Sequence, residues 1–291
     1  MSTTTLSRPS HRAEAPAKSI RRKPTFGIYF IALALVGTII TPIAYIIIGG
    51  FRSNAEITQD PAGFPNEWRV ENYANVLGSD VFWREVLNST IAAVATTLAV
   101  VVLGVMAAYV LARYQFKGRG ALFSVFTAGL MFPMTVAITP LYILVRSLGL
   151  MNSLAGVIVP QVAFQLSITI IILVPFLRTI PRELEEAAFM DGCGRLKFFW
   201  RMVIPLSMPG VVTVGILAFI ASWNSYMLPL FILNNEATYT LPLGVQAFAS
   251  QYSVDTAKVL AFTSLSMIPA LVFFSLFERR IVGGLTGAVK G

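Results

Sequence analysis

The stretch PRELEEAAFMDGCGRLKFFWRMVIPLSMP, residues 181–209, decides the fold. It is a polar island between two apolar runs, each long enough to cross a bilayer. Pro181 at a first helical position, acids at Glu183, Glu185 and Glu186, and Gly192 after the last turn spell a short helix with its stop. Arg195, Lys197 and Arg201 then stand among Leu196, Phe198, Phe199 and Met202, in a second helix that Pro205 and Pro209 are expected to end. The segment reads as helix, glycine turn, helix. Its tip, Met190-Asp191-Gly192-Cys193-Gly194, carries apolar side chains that gain nothing from water. Either a partner covers them, or the hairpin lies flat in the headgroups with its aromatics at the acyl boundary.

Outward from this island the chain is apolar. Of 291 residues, 56% are hydrophobic and 12% charged, and the mean hydropathy is +0.72. A soluble domain carries about a quarter charged residues, so the composition is that of an integral membrane protein. Six apolar runs are long enough to span as helices: 26–48, 86–112, 121–145, 156–177, 206–233 and 257–277. The first follows Arg21-Arg22-Lys23 but is too long for a signal core, and reads as a retained span. Residues 1–25 and 281–291 read as flexible tails, and 179–205 as the loop between the fourth and fifth spans. Of the 22 Lys and Arg residues, 17 fall in the N-terminal tail, the 113–120 loop, the 178–201 segment and the stretch after the sixth run, 278–291. That bias places both termini and the hairpin in the cytoplasm. Arg113, Lys117 and Arg119 read as headgroup anchors at the end of the second span, and the loop from Phe51 to Arg84 as a compact extracytoplasmic segment.

Inventory removes several functions. With one cysteine, Cys193, and one histidine, His11, there is no disulfide, metal site or His-based catalytic set, so no cofactor is expected. The net charge of +8 is spread beside the spans rather than gathered on one face, which argues against nucleic acid. No Asp, Glu, Lys, Arg or His lies in the interior of the six runs, Lys258 standing at the edge of the last, which disfavours an ion-coupled secondary transporter and favours an uncharged cargo. The runs offer neutral groups instead. Gln161, Gln165 and Thr169 share a helical face at spacing four, and Trp223, Asn224 and Tyr226 cluster in the fifth run. Amides and hydroxyls beside aromatic rings suit a sugar, and equally serve as interhelical glue. Pro42, Pro133, Pro140, Pro160, Pro175 and Pro229 are candidate bends.

Glu186-Ala187-Ala188, Gly192 and Ile204-Pro205 resemble the EAA signature of permease subunits of ABC importers, with apolar swaps at Met202, Cys193 and Ile204. FPNEWRVENYANVL at 64–77, Asn88-Ser89, the segment 108–119, Trp223-Asn224 and the closing GLTGAVKG are similar to the carbohydrate branch of that family. The resemblance implies an all-α, type I permease fold of six transmembrane helices with both termini cytoplasmic. It implies that Glu186, Ala187, Ala188, Asp191, Gly192, Phe198 and Pro205 couple to an ATPase, and it adds support for the Trp223-Asn224 pair within the substrate path that the neutral groups suggest, Gln161, Gln165, Thr169, Trp223, Asn224 and Tyr226. The implied partners are a second homologous permease, two cytoplasmic ATPase subunits and an extracytoplasmic sugar-binding protein. No phosphate-binding G-x-x-x-x-G-K-[ST] loop is present, so nucleotide hydrolysis falls to another chain. The expected function is a pore-forming subunit of an ATP-driven sugar importer; another polyol or a glycerophosphodiester is the alternative cargo.

Overall fold

A computed structural model describes residues 26–248 and 255–289, and the side chains of 27–246 and 255–277. The expected N-terminal tail lies outside the described residues. The chain falls into two units, Met1–Ile43 and Ala44–Gly291. Helix α1 (Phe26–Gly49) supplies the described part of the first. Its two threonine hydroxyls stay inside the helix, Thr38 donating to the Ala34 carbonyl at 2.9 Å and Thr41 to that of Gly37 at 2.7 Å, so neither is left unsatisfied.

The second unit is built on three long helices, α4 (Asp80–Arg113), α7 (Leu154–Arg178) and α10 (Ile204–Trp223). Among the described residues the regular elements are all helical. Among the described residues, five helices are long and apolar enough to cross a membrane, or six if one bent pair is a single span. Gly104 lies where α4 meets α7: a Cβ there would fall inside the Thr169 methyl, so only a glycine lets the two helices approach this far. The 34 residues of α4 extend roughly 50 Å, beyond the hydrocarbon core, so both of its ends project into polar surroundings.

Three expectations are revised. The run 121–145 is not one rod: α5 (Arg119–Met131) and α6 (Met134–Ser147) meet at 106°. Phe132, held extended at φ −90° and ψ 109° by the proline that follows it, breaks the helix. Of the six candidate bends, Pro133 alone stands at a break in the helix ladder. Second, Pro205 and Pro209 do not end the hairpin's second helix. A short helix α9 (Arg195–Phe198) passes through a π-helical turn, Phe199–Val203, directly into α10. The Ile204 N–H reaches the Phe199 carbonyl, and Pro205 enters in the first turn, where a missing donor costs nothing. Third, α12 (Thr256–Val289) runs on through the residues expected to form a separate C-terminal tail.

The apolar run 206–233 is itself interrupted. α10 stops at Trp223, and a short helix α11 (Met227–Ile232) begins after Asn224-Ser225-Tyr226. On the same side as this break, the 50–79 segment is knotted by side chains. Arg52 is buried and donates to the carbonyls of Glu56, Asp60 and Pro61 at 2.8, 2.6 and 3.3 Å, and Phe51 stacks on Tyr73 with ring centroids 4.3 Å apart. Short helices α2 (Asn54–Gln59) and α3 (Val70–Leu77) form around this centre.

Candidate functional site

Two places gather the residues singled out from the sequence. The first is the hairpin between α7 and α10. Its first helix, α8 (Arg182–Met190), ends with the Gly192 N–H donating to the Phe189 carbonyl at 3.0 Å and the Cys193 N–H to that of Ala188 at 2.9 Å. Such a closure needs a left-handed residue, and Gly192 has φ +75°. Nothing lies within 4 Å of the place a Cβ would occupy, so the dihedral and not the space demands glycine. The reversal presents Met190, 88% exposed, together with Phe189 and Leu196, beyond the bundle.

Glu186, Ala187, Asp191, Gly192 and Pro205 are exposed, and Ala188 is half-buried against the core. Phe198 is different. It is 0% exposed, in a cluster that includes Tyr109 of α4, Leu173 of α7 and Val211 of α10, with Phe189 resting on it at 5.9 Å. It roots the hairpin in the bundle, with no surface left exposed. Arg113 also departs from expectation. Instead of facing headgroups, its side chain is 5% exposed and ion-paired to Glu185 of α8 at 3.0 Å, with Nη1 donating to the Ile180 carbonyl at 2.7 Å. Residue type and position gave a headgroup anchor; only the fold brings Glu185 to it.

The second place is a cavity of about 400 Å³ at the break between α10 and α11. Gln161, Gln165, Asn224, Ser225 and Tyr226 line it, joined by Thr135 from α6. Trp223 is buried and stacked on Phe219, and faces a neighbouring, more apolar cavity of about 540 Å³ that Asn224 and Tyr226 also line. Thr169 reaches neither, being packed against Gly104. Gln161 ties three helices: its Oε1 accepts from Thr96 of α4 at 3.2 Å and from Ser222 of α10 at 2.6 Å. Its buried Nε2 has no protein partner. Among the described residues no acidic, basic or histidine side chain lines either cavity.

Sequence reasoning missed Thr96 and Ser222 as the partners of Gln161. It also missed what Asn88-Ser89 does. Asn88 donates to the carbonyls of Ala237 and Tyr239, and Ser89 accepts from the Leu241 N–H, pinning the segment after α11 onto α4. Glu85, one residue outside the second run, lies in α4 and is buried against Gly244, so ionisable groups are not wholly absent from the long helices.

Residues 100–282 match the family of binding-protein-dependent transport system inner membrane components. The chain belongs to that family. This permease is 35% identical to the diacetylchitobiose uptake system permease protein NgcG of Streptomyces coelicolor, over 94% of its own length and 91% of the relative's. It is 36% identical to the trehalose transport system permease protein SugB of Mycobacterium tuberculosis, over 88% and 94%. Its fold matches a chain of a bacterial ABC transporter involved in import of the acidic polysaccharide alginate, with TM-score 0.74 at 24% identity, covering 87% of the permease and 95% of that chain. The all-α permease fold and the inner-membrane location follow, and the permease is a transport subunit of an ABC importer.

Proposed function

We propose that the permease forms, with a second related permease, the pore of an importer for uncharged sugars of about two or more rings. The cavity carries this reading: amides, hydroxyls and a tyrosine ring surround a space within the range of small-molecule pockets, with no charge lining it. Hydroxyl-rich cargo satisfies such groups, while an anionic diester would find no cation there. The names of the relatives, diacetylchitobiose and trehalose permeases, point the same way. ATP hydrolysis is the task of separate subunits docked on the cytoplasmic hairpin at Glu186, Ala187, Asp191 and Gly192, and an extracytoplasmic binding protein delivers the sugar. Closure of the ATPases pushes the hairpin, and the bundle opens outward.

The test is reconstitution in liposomes with the companion permease, ATPase and binding protein. Uptake of a panel of uncharged di- and trisaccharides, and of glycerophosphocholine, is measured with and without ATP. ATP-dependent uptake of one of the sugars, absent for the diester, is expected. Preference for glycerophosphocholine, or ATP-independent uptake by this chain alone, overturns the reading.

A further inference from the structure

We infer that Arg113 is a positioning residue of the lever: it fastens the first helix of the hairpin to the second span, so that a push on the hairpin moves α4 as well as α10. The inference rests on the reading of the hairpin as the ATPase dock. Nε and Nη2 of Arg113 converge on Glu185 Oε2 at 3.1 and 3.0 Å, Nη1 donates to the Ile180 carbonyl at 2.7 Å, and Nη2 to that of Pro181 at 3.4 Å. One guanidinium therefore holds the chain entering α8 and the first turn of α8 itself. An exposed ion pair contributes little, but here the cation is nearly dry and bound by carbonyls on the same turn. Only the planar fork of arginine reaches all three acceptors; a lysine satisfies one or two.

The second helix of the hairpin has its own rigid route, since α9 runs through the π turn into α10 without interruption. The two routes meet again. From Arg113, α4 extends roughly 25 Å, at about 1.5 Å per residue, to Thr96. Thr96 donates to Gln161 Oε1, and Ser222 at the far end of α10 donates to the same oxygen. Displacing one arm of the hairpin without the other would pull these two donors apart at the cavity wall. The clamp at Arg113 makes both arms move together, and the cavity receives one motion.

The experiment uses the assembled importer and reads ATP hydrolysis stimulated by its own binding protein carrying the sugar it retains from cells. Arg113→Lys and Glu185→Gln are expected to leave the ATPase co-purifying and the melting temperature near that of the parent. Stimulation should fall roughly tenfold for the lysine variant and less for the glutamine. In a Cys193→Ala background, Arg113→Cys with Glu185→Cys should show the same loss, and joining the two thiols with a short bismaleimide should restore stimulation. Parental stimulation in Arg113→Lys, or arrest on joining the thiols, overturns the clamp. Ala187→Arg separates the two ideas. It is expected to release the ATPase, and if the ATPase stays bound the docking reading fails whatever Arg113 does.

Discussion

Gln161 and Gln165 stand one helical turn apart and line the same cavity, yet they do different work. Gln161 accepts two buried hydroxyl hydrogen bonds. Gln161→Leu strands the Thr96 and Ser222 hydroxyls, and each stranded buried group costs about 1–3 kcal/mol. Unfolding in detergent should therefore show a clear loss of stability. Gln165 is half-buried and stands at the cavity wall. Gln165→Ala should change stability by less than about 0.5 kcal/mol while raising the apparent KM for sugar-dependent uptake. A stability loss in Gln165→Ala equal to that of Gln161→Leu, with uptake unchanged, would make both residues packing groups.

At the scale of an element, the clasp of α2 is set by one carboxylate. Glu56 accepts from the backbone N–H of Ser53 at 2.8 Å and from that of Asn66 at 3.0 Å, and these bonds hold its pKa near 2, below the usual 4.5. A depressed carboxylate stabilises the folded segment above its unfolded pKa, and that support is lost as pH falls through the folded value. Hydrogen exchange at residues 53–66 should accordingly stay protected from neutrality to about pH 4.5 and lose protection progressively as pH falls from there to about 2. Glu56→Gln should exchange faster at neutral pH and lose that acid step. Protection in the parent that does not fall between pH 4.5 and about 2 would show that this carboxylate does not hold the segment.

For the whole molecule, orientation follows from where the positive charge lies. Basic residues concentrate on the side of the tails and hairpin, and the positive-inside tendency predicts the cytoplasm for that side. Cys193 is the single thiol and is partly covered, whereas Met190 is 88% exposed at the hairpin tip. In a Cys193→Ala, Met190→Cys variant, a membrane-impermeant maleimide should label inside-out vesicles and leave intact cells unlabelled. Labelling of intact cells would invert the topology and remove the hairpin from any cytosolic ATPase.

The amino-acid sequence by itself determined that the chain lives in a membrane, where its long helices run, and that a glycine-hinged hairpin projects between two of them. Hydrophobic length and charge bias are local properties that survive without a fold. It also named Gln161, Gln165, Asn224 and Tyr226 of the cavity wall, because neutral polar residues stand out in an apolar run. Only the tertiary structure decided which of them line the cavity and which bond or pack against other helices. Gln161 bonds α4 and α10, Thr169 fills the notch at Gly104, and Phe198 is buried among α4, α7 and α10. The same holds for Arg113: a basic residue at a span end is an anchor until another segment brings a carboxylate within 3.0 Å. It holds too for the prolines, whose effect turned on the register of the hydrogen-bond ladder around them. Pro133 broke a span, while Pro205 was absorbed by a π turn. Contacts between segments distant in sequence leave no periodic trace, and there the reading had to wait for the fold.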